Sequence, residues 1–357
     1  MHKKLSLKER DLISESLNSD NMNTMTLLVK RALIFTFIVE FIGMIIFSIL
    51  FIPEYGISEG LFKSLFTSVS SFCNAGFDVV GMENRFDLIL IIPTIILSIL
   101  GGIGFIVFDD VYSKVKVGLK RKYSMSKIIS TLALHTKVVI IATTVIFFIG
   151  WGYILLAEYN NENTVGNMEV KDKVAISAFY SATTRAVGVS PIDIAQFTDG
   201  CKIGLMMLML IGGAPGGTAG GIKVTTIALI FLSIIAFLKG KKRVVLFSRE
   251  ISIQTVLKAY IIVMLYISII VISTIGLTIT EQNNDTFALI MESVGAASNG
   301  GMSTGLISEF SDMGKLNIMI LMYLGRVGTV SMALAFVLAR PKIFENIRYP
   351  EGKIVVG

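Results

Sequence analysis

The chain has 357 residues, of which 53% are hydrophobic and only 16% are charged, and its mean hydropathy is +0.74. This balance excludes an ordinary soluble domain, and apolar runs of about twenty residues recur, each long enough to cross roughly 30 Å of hydrocarbon. The formal net charge of +6 does not indicate a nucleic-acid partner, because the basic residues form short clusters separated by acidic or neutral connections. The sequence therefore predicts an all-α polytopic membrane protein in a lipid bilayer.

The basic clusters predict the orientation of the chain. They lie at the N-terminus, over 114–127, over 239–249 and at the C-terminus, whereas Glu54, Glu158 and Glu281 lie in the intervening connections. Cytoplasmic loops carry an excess of Lys and Arg. We therefore expect a multi-pass protein of the cell membrane with both termini cytoplasmic.

Six membrane spans are predicted in chain order. They cover 28–52, 86–108, 131–156, 201–238, 252–279 and 314–339. The fourth is too long for one straight helix and is broken by the glycine-rich stretch GGAPGGTAGG, Gly212–Gly221. The charged start of the chain has no short apolar core followed by a cleavage site, so it does not indicate a signal peptide.

A second kind of segment lies between the two spans of each pair. Each one begins as a helix too short to span, then becomes small and polar, and reaches a glycine. The three segments are 60–78, 173–193 and 286–306. When they are aligned, Gly76, Gly188 and Gly301 fall in register at separations of 112 and 113 residues. The repetition predicts a unit of span, short re-entrant helix, polar strip and span that occurs three times.

The three polar strips predict a cation pathway. Non-helical backbone is tolerated at membrane depth where it lines a wet cavity, and rings of carbonyls can replace the water shell of a monovalent cation. The short helices would also point their partly negative C-terminal ends at that cavity. The strip residues predicted to form the filter are Cys73, Asn74, Ala75, Gly76, Arg185, Ala186, Val187, Gly188, Ser298, Asn299, Gly300 and Gly301. Re-entrant hairpins that only pack, and broken helices of a secondary transporter, are the alternatives.

Two charged residues near the strips are expected to be structural. The charge of Arg185 would repel a cation on the axis, so its side chain is expected to point behind the filter and brace it. Glu40, a single acid in the first span, is expected to be a buried partner of a polar group.

The sequence resembles the Trk/Ktr/HKT superfamily of potassium transporters. The strings NAGFD, SILGGIGF, SATTRAVG, the glycine-rich break and GRVG are similar, in this order, to the membrane subunit of bacterial Ktr-type potassium uptake systems. The resemblance implies four units around one pore, with K+ bound by backbone carbonyls of the filter residues, and it leaves sodium dependence open. It also implies a cytosolic ring of nucleotide-binding regulatory subunits, and we further expect a homodimer. No catalytic set of side chains or cofactor motif is found, so we expect neither an enzyme nor a cofactor.

The expected first unit of the four is not found in this sequence. A position about 112 residues before Gly76 would precede Met1, and LSLKERDLISESL resembles the cytoplasmic connection that follows the first unit. We therefore expect three of four units. The pore units are expected at 28–113, 131–239 and 252–340, and cytoplasmic segments at 1–27, 114–130, 240–251 and 341–357.

The glycine-rich break and one arginine predict a gate. The predicted loop comprises Gly212, Gly213, Ala214, Pro215, Gly216, Gly217, Thr218, Ala219, Gly220 and Gly221. It fails as a phosphate loop, because its last glycine is not followed by Lys and Ser or Thr. A simple kink that lets helices pack closely is the other interpretation. A lone charge such as Arg326 in a span normally faces a cavity or a partner, and the resemblance implies that Arg326 lies near the loop and repels cations in the closed state.

The leading hypothesis is therefore potassium uptake across the cell membrane, through a carbonyl-lined filter that an intramembrane loop gates. The chain would be the pore subunit of a Ktr-like system. An ion-coupled secondary transporter with discontinuous helices, and a non-conducting truncated membrane partner, are the alternatives.

Overall fold

The structure is a computed structural model that describes residues 22–81, 86–185, 190–241 and 243–327. Its helices are α1 Met22–Tyr55, α2 Ile57–Cys73, α3 Leu88–Ile103, α4 Phe105–Lys120, α5 Met125–Thr131, α6 Leu134–Glu158, α7 Val170–Thr183, α8 Asp199–Leu210, α9 Val224–Leu238, α10 Ile253–Thr280, α11 Thr286–Ser298 and α12 Asp312–Val327. Two short 3₁₀ turns, Ile194–Gln196 and Leu306–Glu309, precede α8 and α12. The chain is thus mostly helical, as the sequence predicted.

A small β-hairpin between α9 and α10 departs from the all-α prediction. Strands β1 Val244–Leu246 and β2 Arg249–Ile251 pair antiparallel. The two residues between them, Phe247 and Ser248, both have positive φ, 47° and 61°. This is the turn that a two-residue hairpin favours, but it is usually marked by Asn-Gly or Asp-Gly, and Phe-Ser is no local signal for it.

Three helices of the described ranges are long and apolar enough to cross a bilayer. They cover Leu27–Tyr55, Leu134–Glu158 and Ile253–Thr280, which match the first, third and fifth predicted spans. Large apolar side chains on them are exposed, among them Phe37, Ile149 and Ile272. A contiguous apolar surface of this kind suits contact with lipid.

The second predicted span, over 86–108, is bent and is not one straight helix. α3 ends at Ile103 and α4 begins at Phe105, and the two helices are bent by 92°. Gly104 between them has φ 92°, a conformation that residues with a Cβ rarely adopt. α4 then continues to Lys120, through the boundary predicted at residue 113.

The fourth predicted span is broken at the glycine-rich stretch, as predicted. α8 ends at Leu210 and α9 begins at Val224. The sixth predicted span is described as far as Val327, and the rest of it lies outside the described residues.

Three segments share one order of elements: a long helix, a short helix, a non-helical stretch and a second helix. They are α1–α2–α3, α6–α7–α8 and α10–α11–α12. The second helix of one segment packs against the short helix of the next, α3 on α7 and α8 on α11. One hydrophobic core, which includes Phe72, Tyr180 and Leu289, runs through all three segments.

A carboxylate joins the long helix to the second helix in two of these segments. Glu158, at the end of α6, accepts hydrogen bonds from the backbone N (3.0 Å) and Oγ1 (2.6 Å) of Thr198, the N-cap residue of α8. Glu281, directly after α10, accepts from the backbone N (3.1 Å) and the hydroxyl of Ser311, which in turn caps the first turn of α12. Each contact satisfies donors at a helix N-terminus.

The Glu281→Gln variant tests this contact. Hydrogen bonds from the Ser311 side chain hold the pKa of Glu281 below its ordinary value, so the ionised carboxylate is the stabilising form. We expect the variant to lose about 1 kcal/mol of stability, seen as a lower Tm of the purified protein in detergent at pH 7.

The pH dependence supplies the control. Because the pKa of Glu281 is lower in the folded than in the unfolded protein, its carboxylate stabilises the fold at pH values above the unfolded-state pKa. This stabilisation is lost as the pH falls through the folded-state pKa. The Tm values of the variant and the wild type should therefore converge below about pH 4. Glu309→Gln, at an exposed position, should leave Tm unchanged. Equal losses of Tm in the two variants would contradict the assigned contact.

Candidate functional site

The first strip turns at an asparagine and then at a glycine. Asn74, which follows α2, is left-handed with φ 50° and ψ 50°, and Gly76 has φ 79°. The amide of Ala75 donates to the carbonyl of Ser70 at 2.9 Å, and Ser70 Oγ donates to the carbonyl of Phe77 at 2.8 Å. These bonds satisfy the end of α2 and turn the chain away from the helix axis.

The strip after α11 has the same turn. Asn299 is left-handed with φ 53° and ψ 33°, and Gly301 has φ 69°. The amide of Gly300 donates to the carbonyl of Gly295 at 3.0 Å, the same five-residue step that closes the first strip. The two glycines that the sequence placed in register, Gly76 and Gly301, thus also share a backbone conformation.

The second strip is described only as far as Arg185. This residue is buried, with 8% of its surface exposed, and its Nη2 donates to the carbonyl of Thr143 on α6 at 3.3 Å. The guanidinium therefore points back toward the long helix of its own segment, as expected of a residue that braces the strip. The predicted filter residues Ala186, Val187 and Gly188 lie outside the described residues.

The break between α8 and α9 forms a loop closed by its own backbone. Gly212 N donates to the carbonyl of Ile222 at 2.9 Å, and Ile222 N donates to that of Leu210 at 3.0 Å. A Cβ on Gly212 would lie 1.8 Å from the carbonyl oxygen of Gly220, so the ends of the loop can approach only because this residue is glycine. All ten predicted gate-loop residues, Gly212–Gly221, belong to this loop.

The loop is docked on the break between α3 and α4. Ala214 N donates to the carbonyl of Gly102 at 2.7 Å, and Thr218 N donates to that of Gly101 at 3.0 Å. The last carbonyls of a helix have no partners within it, and here the loop supplies their donors. No role was predicted for this break, although the glycines at 101, 102 and 104 were an available signal.

One loop side chain reaches the first strip. Thr218 Oγ1 donates to the carbonyl of Phe72 at 3.0 Å and accepts from Nδ2 of Asn74 at 2.7 Å. Ser98 Oγ, on α3, donates to Oδ1 of Asn74 at 3.0 Å. The amide of Asn74 is thus enclosed by the loop, the strip and α3, and only 2% of the residue is exposed.

The loop also lies against the strip that follows α11. A Cβ on Gly220 would lie 2.5 Å from the carbonyl oxygen of Ser298 and 3.1 Å from Cβ of Asn299. The cavity between the loop, the first strip and Arg185 has a volume of about 10 Å³, which holds about one water molecule. This conformation therefore leaves no room there for a hydrated cation.

Two basic side chains adjoin the loop. Lys223 Nζ donates to the carbonyl of Ala219 at 2.8 Å and so ties the end of the loop to its middle. Arg326, exposed near the end of α12, lies within electrostatic range of Lys223 and Cys73. No role was predicted for Lys223, although a lysine just after a glycine-rich loop in an apolar run was an available signal.

Glu40 supports the helix that precedes the first strip. It is buried, and its Oε1 accepts from Sγ of Cys73 at 3.5 Å, while its backbone carbonyl accepts from Ser68 Oγ at 2.7 Å. It thus holds the polar groups of α2, in agreement with a structural role. Within the described ranges, no three His, Cys, Asp or Glu side chains come together as metal ligands.

The sequence matches a family of known transporters. The family model TrkH, described as a cation transport protein, matches residues 2–346. Ktr system potassium uptake protein B of Bacillus subtilis is 34% identical, over 99% of this chain and 77% of that protein. Potassium/sodium uptake protein NtpJ of Enterococcus hirae is 33% identical over 99% and 77%. Ktr system potassium uptake protein B of Vibrio alginolyticus is 33% identical over 99% and 75%.

The fold has a counterpart among solved structures. The crystal structure of the potassium transporter TrkH from Vibrio parahaemolyticus matches with a TM-score of 0.67 at 16% identity, over 93% of this chain and 69% of that one. At this identity the match shows a shared membrane-transporter fold. Together with the family match along almost the whole sequence, it places the protein in the membrane. The chain belongs to the TrkH family of cation transport proteins.

Proposed function

We propose that the chain takes up potassium across the cell membrane as the pore subunit of a Ktr-like system. One observation carries this proposal. The glycine-rich loop contacts two of the polar strips, each at the end of a short helix. The relatives from Bacillus subtilis and Enterococcus hirae are named as potassium and potassium/sodium uptake proteins, which supports potassium as the cation. The comparisons favour neither an ion-coupled secondary transporter nor a non-conducting partner.

In this proposal the strips form the selectivity filter. Carbonyls of Cys73, Asn74 and Ala75, with those of Arg185–Gly188 and Ser298–Gly301, would replace the water shell of K+. The positive φ of Gly76 and Gly301 supports this role, because it lets the backbone turn so that successive carbonyls face the same side. The helix ends at Cys73, Thr183 and Ser298 add partial negative charge. Sodium dependence stays open.

In the same proposal the loop Gly212–Gly221 is the gate. Its docking on Gly101 and Gly102 and its contact with Ser298 support a closed state, since the remaining gap is too small for a hydrated cation. Arg326 and Lys223 place two positive charges beside the loop, and these would repel a cation that approached the closed gate.

The predicted pore units, 28–113, 131–239 and 252–340, are proposed to line one pore. The intervening basic segments would be cytoplasmic, and so would both termini. The basic residues of 114–127 belong to the α4–α5 segment, and those of 239–249 lie in the sequence between the end of α9 and β2, which suits docking of a cytosolic nucleotide-binding regulatory ring. Assembly as a homodimer completes the proposal.

Growth of a potassium-uptake-deficient cell at low potassium tests the function. We expect expression of the chain to restore growth and Gly76→Ala to lower the potassium uptake rate by roughly tenfold, because a Cβ disfavours φ 79°. Gly81→Ala is the matched control, since Gly81 also has positive φ, 70°, and so carries the same backbone strain, but it lies outside the predicted filter; its uptake rate should stay near the wild-type value. Failure of the wild-type chain to restore growth would contradict the proposed function.

The Arg326→Gln variant tests the charge beside the loop. Removing a positive charge near the pathway should raise the potassium leak from proteoliposomes by about fivefold or more. Lys315→Gln, the same loss of charge at the other end of α12, should leave the leak at the wild-type value. Unchanged flux in Arg326→Gln would remove this residue from the mechanism.

A further inference from the structure

Thr218 is the point at which the loop is bonded to a strip through a side chain. It carries the only hydroxyl group in GGAPGGTAGG. Its one proton goes to the carbonyl of Phe72 and its lone pair accepts from Asn74 Nδ2, at 3.0 and 2.7 Å. Both partners belong to the end of α2, directly before Gly76. Displacement of the loop would break both bonds at once.

Asn74 depends on that contact for its side-chain position. Its Nδ2 has two other acceptors, the carbonyls of Phe72 and Ser98, but these lie at 3.4 and 3.3 Å, beyond the usual range of a strong hydrogen bond. Without Thr218 the amide would retain one good bond, from Ser98 Oγ to Oδ1 at 3.0 Å. The residue is buried and left-handed, a backbone state that a residue with a Cβ adopts only with support.

The contact with the other described strip is of a different kind. There the loop presents Gly220 to the carbonyl of Ser298 and to Asn299 by close packing. Asn299 Nδ2 donates instead to the carbonyl of Met322 on α12, at 3.2 Å. Two asparagines with the same backbone geometry are therefore held by different elements, and in the described part of the chain only Asn74 is bonded to the loop.

We propose that Thr218 transmits the position of the loop to the first strip, so that the preference of the strip for binding potassium over sodium depends on whether the loop is docked. This inference rests on the proposed filter and gate. When the loop is docked, Thr218 and Ser98 hold Asn74 from both sides and fix the carbonyls before Gly76. When the loop withdraws, Asn74 loses its shortest bond and the strip is free to relax. Selectivity depends on the spacing and number of coordinating carbonyls, so it changes with the loop.

The test measures the dissociation constants of potassium and sodium for the purified full chain in detergent. Thr218→Val keeps the size of the side chain but removes both hydrogen bonds, and we expect it to change the ratio of the two dissociation constants by roughly threefold to tenfold. Thr218→Ser keeps the hydroxyl and should keep the wild-type ratio. Thr94→Val is the control, because Thr94 is buried and bonds only to Leu90 O in its own helix, at 2.7 Å.

A second variant tests the same contact independently, in case Thr218→Val fails to fold. Ser98→Ala removes the other support of Asn74 and should shift this ratio in the same direction as Thr218→Val. If both variants change the two dissociation constants equally and leave the ratio unchanged, the coupling is refuted while the gate remains. If the wild-type chain binds no potassium, the proposed filter itself fails, and the coupling fails with it.

Discussion

The close approach of three backbones at Gly101 is the constraint on which the site depends. A Cβ at this position would lie 1.9 Å from the carbonyl oxygen of Phe72 and 2.8 Å from Oγ1 of Thr218. Because glycine has no Cβ, the end of α3, the first strip and the loop can meet at one point. The hydrogen bonds among Gly101, Thr218 and Asn74 are short only because of this contact.

The backbone carbonyls and amides at the helix breaks near this point form hydrogen bonds with one another. A broken helix in a bilayer exposes carbonyls and amides that no water is present to satisfy, at a cost of several kcal/mol for each group. Here the end of α3 accepts from the loop, and the end of α8 accepts from Ile222 near the start of α9. The arrangement is stable as a set, yet the bonds that join the loop to α3 are few. Such a loop can be released without unfolding the helices on either side of it.

Sequence patterns predicted the elements of this site better than its contacts. The short helices, the interruption of the fourth span and the register of Gly76 with Gly301 follow from apolar length and glycine spacing, which are local signals. The bend at Gly104 was missed because the apolar run continues on both sides of it. The bond between Thr218 and Asn74 joins residues far apart in sequence and depends on docking that no local pattern encodes. The filter role of the strips, including Ala186–Gly188, stays a prediction.

Cation flux through Gly101→Ala proteoliposomes, measured beside Gly102→Ala, tests the central claim most directly. Gly102 is the neighbouring residue, and its Cβ would meet nothing within 4 Å. The account predicts that Gly101→Ala separates the loop from the first strip, so that total flux rises, whereas Gly102→Ala behaves like the wild type. Wild-type flux in Gly101→Ala would contradict the account.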